Sequence, residues 1–315
     1  MSKKNPENIA ASVRQRLLNL SKDRKEDFNL ILTRYAVERF LYRISQSDHA
    51  DKFVLKGAML TAILIGEVHR PTRDLDLLGF GDPEAEAIKD VIREICQAEV
   101  EKDGLEYDAE NVEIDEIRGN QDYPGQRVKI NVKLGSAKIT IQVDIGFGDA
   151  VTPKAETISY PVLLDFPAPR IRAYNKETQI AEKLQAMVFL GMANSRMKDF
   201  YDIFILSKTF SFKGDALVKA IKATFDRRGT EIPEDIPLAL TDEFANDSDK
   251  NTQWKAFIRR NGLDDFGLDF SQWIEALRNF LLEPLNVAAN EEKFQQSWTV
   301  GGPWSKAKGK DLSEK

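Results

Sequence analysis

Aspartate and leucine alternate in Asp74-Leu75-Asp76-Leu77, and that alternation restricts the chain more than any other feature. A β-strand turns successive side chains to opposite faces, so the two leucines share one side and the two aspartates the other. Carboxylates held side by side repel, and partial burial raises the cost. Such a strand must stand in a sheet with one apolar face, and something cationic must offset its acids. A metal ion fits that need; a salt-bridged strand edge is the ordinary alternative.

The remaining composition narrows the chemistry. With only two histidines, His49 and His69, and one cysteine, Cys96, the usual zinc ligand sets cannot be assembled. The lone cysteine excludes an internal disulfide framework and fits a reducing cytosol. No apolar run approaches the roughly 20 residues of a membrane-spanning helix, and the first residues do not form a cleavable leader. A cytoplasmic protein without a membrane segment is expected. The net charge of −6 argues against a non-specific nucleic-acid coat but permits a local basic surface. What is left is carboxylate, lysine and arginine chemistry, which suits hard cations and phosphates.

Amphipathic helices are expected over 7–22 and 26–46, the second carrying Phe28, Leu32, Tyr35, Phe40 and Leu41 at helical spacing. A strand follows through Phe53–Leu55, then Gly57 at a turn, a short apolar helix, and the Asp74–Asp76 strand. Asp82 and Pro83 read as the N-cap and first residue of the next helix. Strands are expected near 112–118, 127–134 and 138–146, the last two joined by a hairpin at Gly135-Ser136. Four prolines make 151–173 mostly extended connection. Helices are then expected at about 175–190, 195–208, 214–226, 249–261 and 270–283, with Trp298 and Trp304 anchoring the start of a frayed tail. The layout predicts an α/β half to about residue 165 and an all-helical half, 166–290, before the tail at 291–315.

Four segments carry charge where the local pattern expects apolar residues. In "LKGAM", Lys56 closes a strand, and Gly57 lets the backbone approach a ligand at a helix N-terminus, a phosphate-binding arrangement or simply a tight turn. "RPTRDLDL" sets Arg70, Thr72 and Arg73 beside the two acids. "QVDIGFGD" turns Asp144 away from Val143 and Ile145, together with Gln142. Three acids on two neighbouring strands would make a two-metal site with ions about 3.5–4 Å apart. The fourth segment is a helix pair: Lys183 borders the Ile180, Leu184 and Met187 stripe, and Asp199 and Asp202 lie on the next helix. A structural salt bridge among Lys183, Asp199 and Asp202 and a phosphate-binding lysine are both open.

The motifs "KGAMLTAILIGEVHRPTRDLDLLGFG", "VDIGFGD", "ETQIAEKLQAMV" and "SRMKDFYDIF", in that order, resemble the AbiEii/AbiGii toxin family of polymerase-β-like nucleotidyltransferases. The resemblance runs from about Phe53 to Leu206. It implies an α+β nucleotidyltransferase core with a mixed sheet and N-terminal helices, followed by a helical domain that completes the active site. It further implies two Mg²⁺ ions on Asp74, Asp76 and Asp144, an NTP co-substrate, and catalytic roles for Lys183 and Asp202. Lys56, Gly57, Arg70, Thr72, Arg73, Lys198 and Asp199 would meet the nucleotide. The implied activity is transfer of NMP to the 3′ end of tRNA, which blocks aminoacylation and translation, with an AbiEi-like antitoxin as partner.

An acidic protein that binds tRNA needs a focused basic area, for which Arg196 and Lys198, Lys129 and Lys133, Arg227-Arg228 and Arg259-Arg260 are candidates; each is otherwise an ordinary solvated charge. A nucleotidyltransferase or kinase-like enzyme acting on a small molecule or protein would use the same acids. A non-catalytic binding protein of the same fold would need none of them.

Overall fold

The computed structural model describes residues 9–66, 72, 74–117, 125–290 and 292–306. Its contacts divide the chain into two units. One comprises the chain through Ile63, Thr72–Gly148 and Glu156–Ala173; the other takes the segment that begins at Leu64, Asp149–Ala155 and the chain from Tyr174 onward.

The first unit opens with α1 (Ile9–Arg24) and α2 (Phe28–Gln46), whose N-cap Asp27 accepts from the Leu30 amide at 3.0 Å. Then come β1 (Phe53–Lys56), α3 (Gly57–Ile65), β2 (Asp74–Gly79) and α4 (Ala85–Gln97). The Asp82 side chain accepts from the Glu84 amide instead of capping the helix, so α4 starts two residues later than Asp82-Pro83 predicts. β3 (Leu105–Tyr107), β4 (Glu113–Ile117), β5 (Gly125–Leu134), β6 (Ala137–Phe147), β7 (Glu156–Ser159) and β8 (Arg170–Ala173) complete the unit. The strands of this unit form one mixed sheet in the order β3-β5-β6-β2-β1-β8-β7, with β4 also on β5. β7 and β8 lie where only extended connection is expected: the prolines fall outside two four-residue strands that pair antiparallel.

Leu75 and Leu77 of β2, Val128, Ile130 and Val132 of β5, and Ile139, Ile141, Val143 and Ile145 of β6 are all buried and share one face through the ladder registers. Their alternation with polar residues is that of a sheet with a single covered face. α2 is buried nearly all round, so its polar residues need partners. Arg43 donates to both oxygens of Asp103 at 2.7 and 3.2 Å, and Arg39, fully buried, reaches Asp103 at 3.3 Å and the Pro167 carbonyl at 2.7 Å.

The second unit holds α5 (Lys176–Leu190), α6 (Met197–Thr209), β9 (Phe212–Lys213), α7 (Gly214–Arg227), α8 (Asp242–Asn246), α9 (Ser248–Asn261), α10 (Phe270–Ala289), β10 (Gln296–Trp298) and β11 (Trp304–Lys306). Its core is aromatic: Phe200 stacks on Phe244 at 5.5 Å and Tyr201 on Trp273 at 5.3 Å between ring centroids.

α10 runs through Pro284, six residues past the expected end at 283. Proline has no N–H to give the carbonyl four residues back, which here belongs to Phe280. The Trp304 indole N–H donates to that carbonyl at 2.9 Å. The tail thus supplies the donor that the helix lacks. Trp298 is buried and donates to the Ser207 carbonyl at 2.8 Å, so both tryptophans anchor the tail as expected.

Candidate active site

The β2–β6 ladder is parallel and pairs Asp76 with Asp144, and Asp74 with Gln142. Residues directly opposite in a ladder project to the same face, with Cβ atoms about 5 Å apart. The pairing continues outward on both sides: Lys56 of β1 stands opposite Asp76, and Arg127 of β5 opposite Asp144. One row across four strands therefore reads Lys56, Asp76, Asp144, Arg127, two acids flanked by two cations. Asp74 lies one residue pair along on the same face and is exposed. β4 extends the row, with Asp115 opposite Arg127 on its other side.

Gly57 follows Lys56 directly and opens α3 with a φ of +73°, a left-handed conformation that favours glycine. A Cβ at that position would overlap the Asp76 carboxylate. Asp76 therefore lies against the first turn of α3, and only a residue without a side chain permits it. Thr72 is half-buried, with its hydroxyl 3.4 Å from the Asp74 carbonyl oxygen. Arg70 and Arg73 lie outside the described residues.

Arg127 was not among the predicted site residues. It grips Asp144 with a fork, Nε to Oδ1 at 2.9 Å and a terminal nitrogen to Oδ2 at 2.7 Å, while Gln142 Nε2 approaches Oδ1 at 3.3 Å. Those hydrogen bonds hold the guanidinium pKa above its ordinary value; burial opposes them, and the charges of Asp144, Asp74 and Asp115 add to them. The donor chemistry and the register fit a hard cation: carboxylates at neighbouring positions on adjacent strands, with a third on the same face. The side chains as they stand are arranged otherwise. Among the described residues no three His, Cys, Asp or Glu side chains are gathered so that they could hold an ion.

The other predicted residues belong to the helical unit. Lys183 of α5 donates to Asp202 at 2.8 Å and to Asp199 at 3.1 Å, and Arg196 donates to the other oxygen of Asp199 at 2.6 Å. Both acids are buried, at 1% and 0% side-chain exposure. Burial works against the charge on Asp199, but Lys183, Arg196 and Lys198 outweigh it and hold the carboxyl below its ordinary range. Lys198 itself is exposed. The salt bridge read as the ordinary alternative is therefore present.

The family model described as "Nucleotidyl transferase AbiEii toxin, Type IV TA system" matches residues 39–277. The chain belongs to the AbiEii family. Membership makes it a nucleotidyltransferase of a type IV toxin–antitoxin system, a class defined by an NTP co-substrate and an antitoxin. The match spans both units. None of the curated proteins matches this AbiEii chain. Two solved Helicobacter pylori structures resemble it: JHP933 at 16% identity, covering 81% of this chain and 88% of that one with a TM-score of 0.44; and a protein described as a candidate nucleotidyltransferase at 14% identity, covering 81% and 91%, also with a TM-score of 0.44. Among the described residues no helix is long and apolar enough to cross a membrane.

Besides Arg196, which grips Asp199, two of the basic candidates are engaged with acids in this AbiEii-family chain. Arg228 is largely buried rather than solvated: it donates to Asp149 at 2.8 and 3.0 Å and to Gln185 at 2.8 Å, and Glu182 lies 3.4 Å away. Lys129 is paired with Asp115 at 2.9 Å. Lys133, Arg196, Arg227, Arg259 and Arg260 are exposed. Arg127 could have been found in the sequence. A two-residue turn at Gly135-Ser136 pairs Leu134 with Ala137, and counting back seven pairs places Arg127 opposite Asp144.

Proposed function

We propose that the chain transfers a nucleoside monophosphate from an NTP to the 3′ end of tRNA, so that the tRNA can no longer be aminoacylated, and that an AbiEi-like antitoxin counters it. The observation that carries this reading is the pairing of Asp76 with Asp144, with Asp74 on the same face and Gly57 beside Asp76. Nucleotidyl transfer is mostly positioning and charge stabilisation, and a sheet that fixes carboxylates at one level supplies both.

Asp74, Asp76 and Asp144 would hold two Mg²⁺, which when bound neutralise the triphosphate and acidify the acceptor hydroxyl. Gly57 keeps the start of α3 clear of a side chain, so its first-turn amides can meet a phosphate oxygen. Lys56 adds positive charge beside Asp76. Lys183 contributes charge toward phosphate, and Asp199 and Asp202 hold its ammonium in one position. Thr72 stands before the acids as a hydroxyl for the nucleotide, and Lys198 and Asp202 keep the roles that the resemblance implies. No protein-bound covalent intermediate is needed.

The test is incubation with total tRNA, Mg²⁺ and each NTP labelled at the α- or γ-phosphate. The proposal expects α-label on tRNA, removable by a 3′ exonuclease, and γ-label in pyrophosphate. Label from the γ-position on any acceptor would make the enzyme kinase-like. Transfer to a small molecule, or to nothing, would overturn the tRNA reading.

A further inference from the structure

The row of charges on the polar face of the sheet contains one member that stands in the way of the chemistry proposed above. Both oxygens of Asp144 are engaged by Arg127, and Gln142 takes a further contact on Oδ1. An ionised carboxylate offers about four lone-pair positions. Three are in use, and a full positive charge sits beside the carboxylate a divalent ion would need. A cation arriving at Asp144 meets both a shortage of lone pairs and repulsion from the guanidinium.

Lys183 and Arg127 differ in their freedom to leave the acids they grip. The Lys183 side chain is 12% exposed and its partners lie within the core, so releasing them is costly. The Arg127 side chain is 39% exposed and can turn into water. A second seat is also available. Asp115 of β4 lies directly opposite Arg127 on the side away from Asp144, is 61% exposed, and pairs with Lys129 at 2.9 Å. Arg127 thus stands between two carboxylates, one inside the acid pair and one outside it.

We propose that Arg127 is a displaceable counter-ion: it neutralises Asp144 when no divalent cation is present, and it competes with that cation for the carboxylate, shifting toward Asp115 when displaced. Arg127 then sets the affinity of the site for its ion without being a ligand. The inference rests on the reading of Asp76 and Asp144 as ion ligands.

The test is Mn²⁺ titration of the full chain without nucleotide, followed by electron paramagnetic resonance. Arg127→Gln is expected to bind Mn²⁺ about tenfold more tightly than wild type, since the competing charge is gone. Arg127→Lys keeps the charge but loses the fork and is expected to fall between the two; it carries the test if Arg127→Gln fails to fold. Asp144→Asn should lose the site. Equal or weaker Mn²⁺ binding in both Arg127 variants, with wild type binding and Asp144→Asn not, overturns the counter-ion role and leaves the ion site standing. No Mn²⁺ binding by wild type or either Arg127 variant overturns both.

Discussion

Arg127 and Asp144 face each other across the β5–β6 ladder, joined by two hydrogen bonds of 2.9 and 2.7 Å. The two-residue turn at Gly135-Ser136 fixes that meeting, because slipping the register by one residue would turn every side chain of a strand to the opposite face. The same ladder carries Val128, Ile130, Ile141 and Val143 into the core. The apolar face thereby locks the position of the acidic one.

Gly57 is the tightest point of the site. Gly57→Ala would force a side chain into the Asp76 carboxylate and impose a left-handed backbone on alanine. The expected destabilisation is about 2–4 kcal/mol, from strain and overpacking together. Chemical denaturation measures it, and nucleotidyl transfer should fall further than the loss of folded protein explains.

Removing Lys183 should damage folding as well as chemistry. Lys183→Ala leaves Asp202 and Asp199 buried without its ammonium, although Arg196 still reaches Asp199. Breaking a buried pair in this way costs about 3–5 kcal/mol. Adding Asp202→Asn should restore part of the lost stability in thermal melts. If Lys183→Ala is as stable as wild type, its salt bridges carry no structural weight.

Pro284 and Trp304 should be coupled. Trp304→Phe removes the donor to the Phe280 carbonyl and is expected to cost about 1–3 kcal/mol. Pro284→Ala brings back a backbone N–H for that carbonyl, so the double variant should lose clearly less than the sum of the two changes. Strict additivity would show that the indole does not replace the missing helix bond.

Glu38 should give the first unit a pH dependence of its own. Burial pushes its carboxyl up to about 7; the Leu163 amide and Arg39 pull it down, and Asp103 raises it again. The folded state therefore holds a proton that the unfolded chain releases above its ordinary carboxyl range. Stability from this group is complete at low pH and is lost as pH rises toward and through about 7. Glu38→Gln should remove a fall on the order of 3 kcal/mol between pH 4.5 and 8, seen as a flatter melting temperature against pH. An unchanged slope would contradict the raised carboxyl.

Much of the site's framework was legible because alternation and turn chemistry agreed. Asp74-Leu75-Asp76-Leu77 and the segment around Asp144 declare their faces by period two, and the helices after Tyr174 declare theirs by apolar spacing. What stayed hidden depended on partners distant in sequence. Arg228 reads as a solvated arginine beside Arg227, yet Asp149, Glu182 and Gln185 draw it inward. Pro284 reads as a helix end, and only Trp304, twenty positions on, allows the helix to continue. β7 and β8 are too short to show alternation amid prolines. At Asp144 the carboxylate was legible and its counter-ion was not, although the hairpin count leads to Arg127.

The most direct test of the acid pair is transfer of α-labelled NMP by Asp76→Asn and Asp144→Asn, each compared with wild type at matched melting temperature and in saturating Mg²⁺. Both variants should lose transfer by about a hundredfold or more, as when a group acting only in the transition state is removed. Transfer at the wild-type rate by either folded variant would contradict the account.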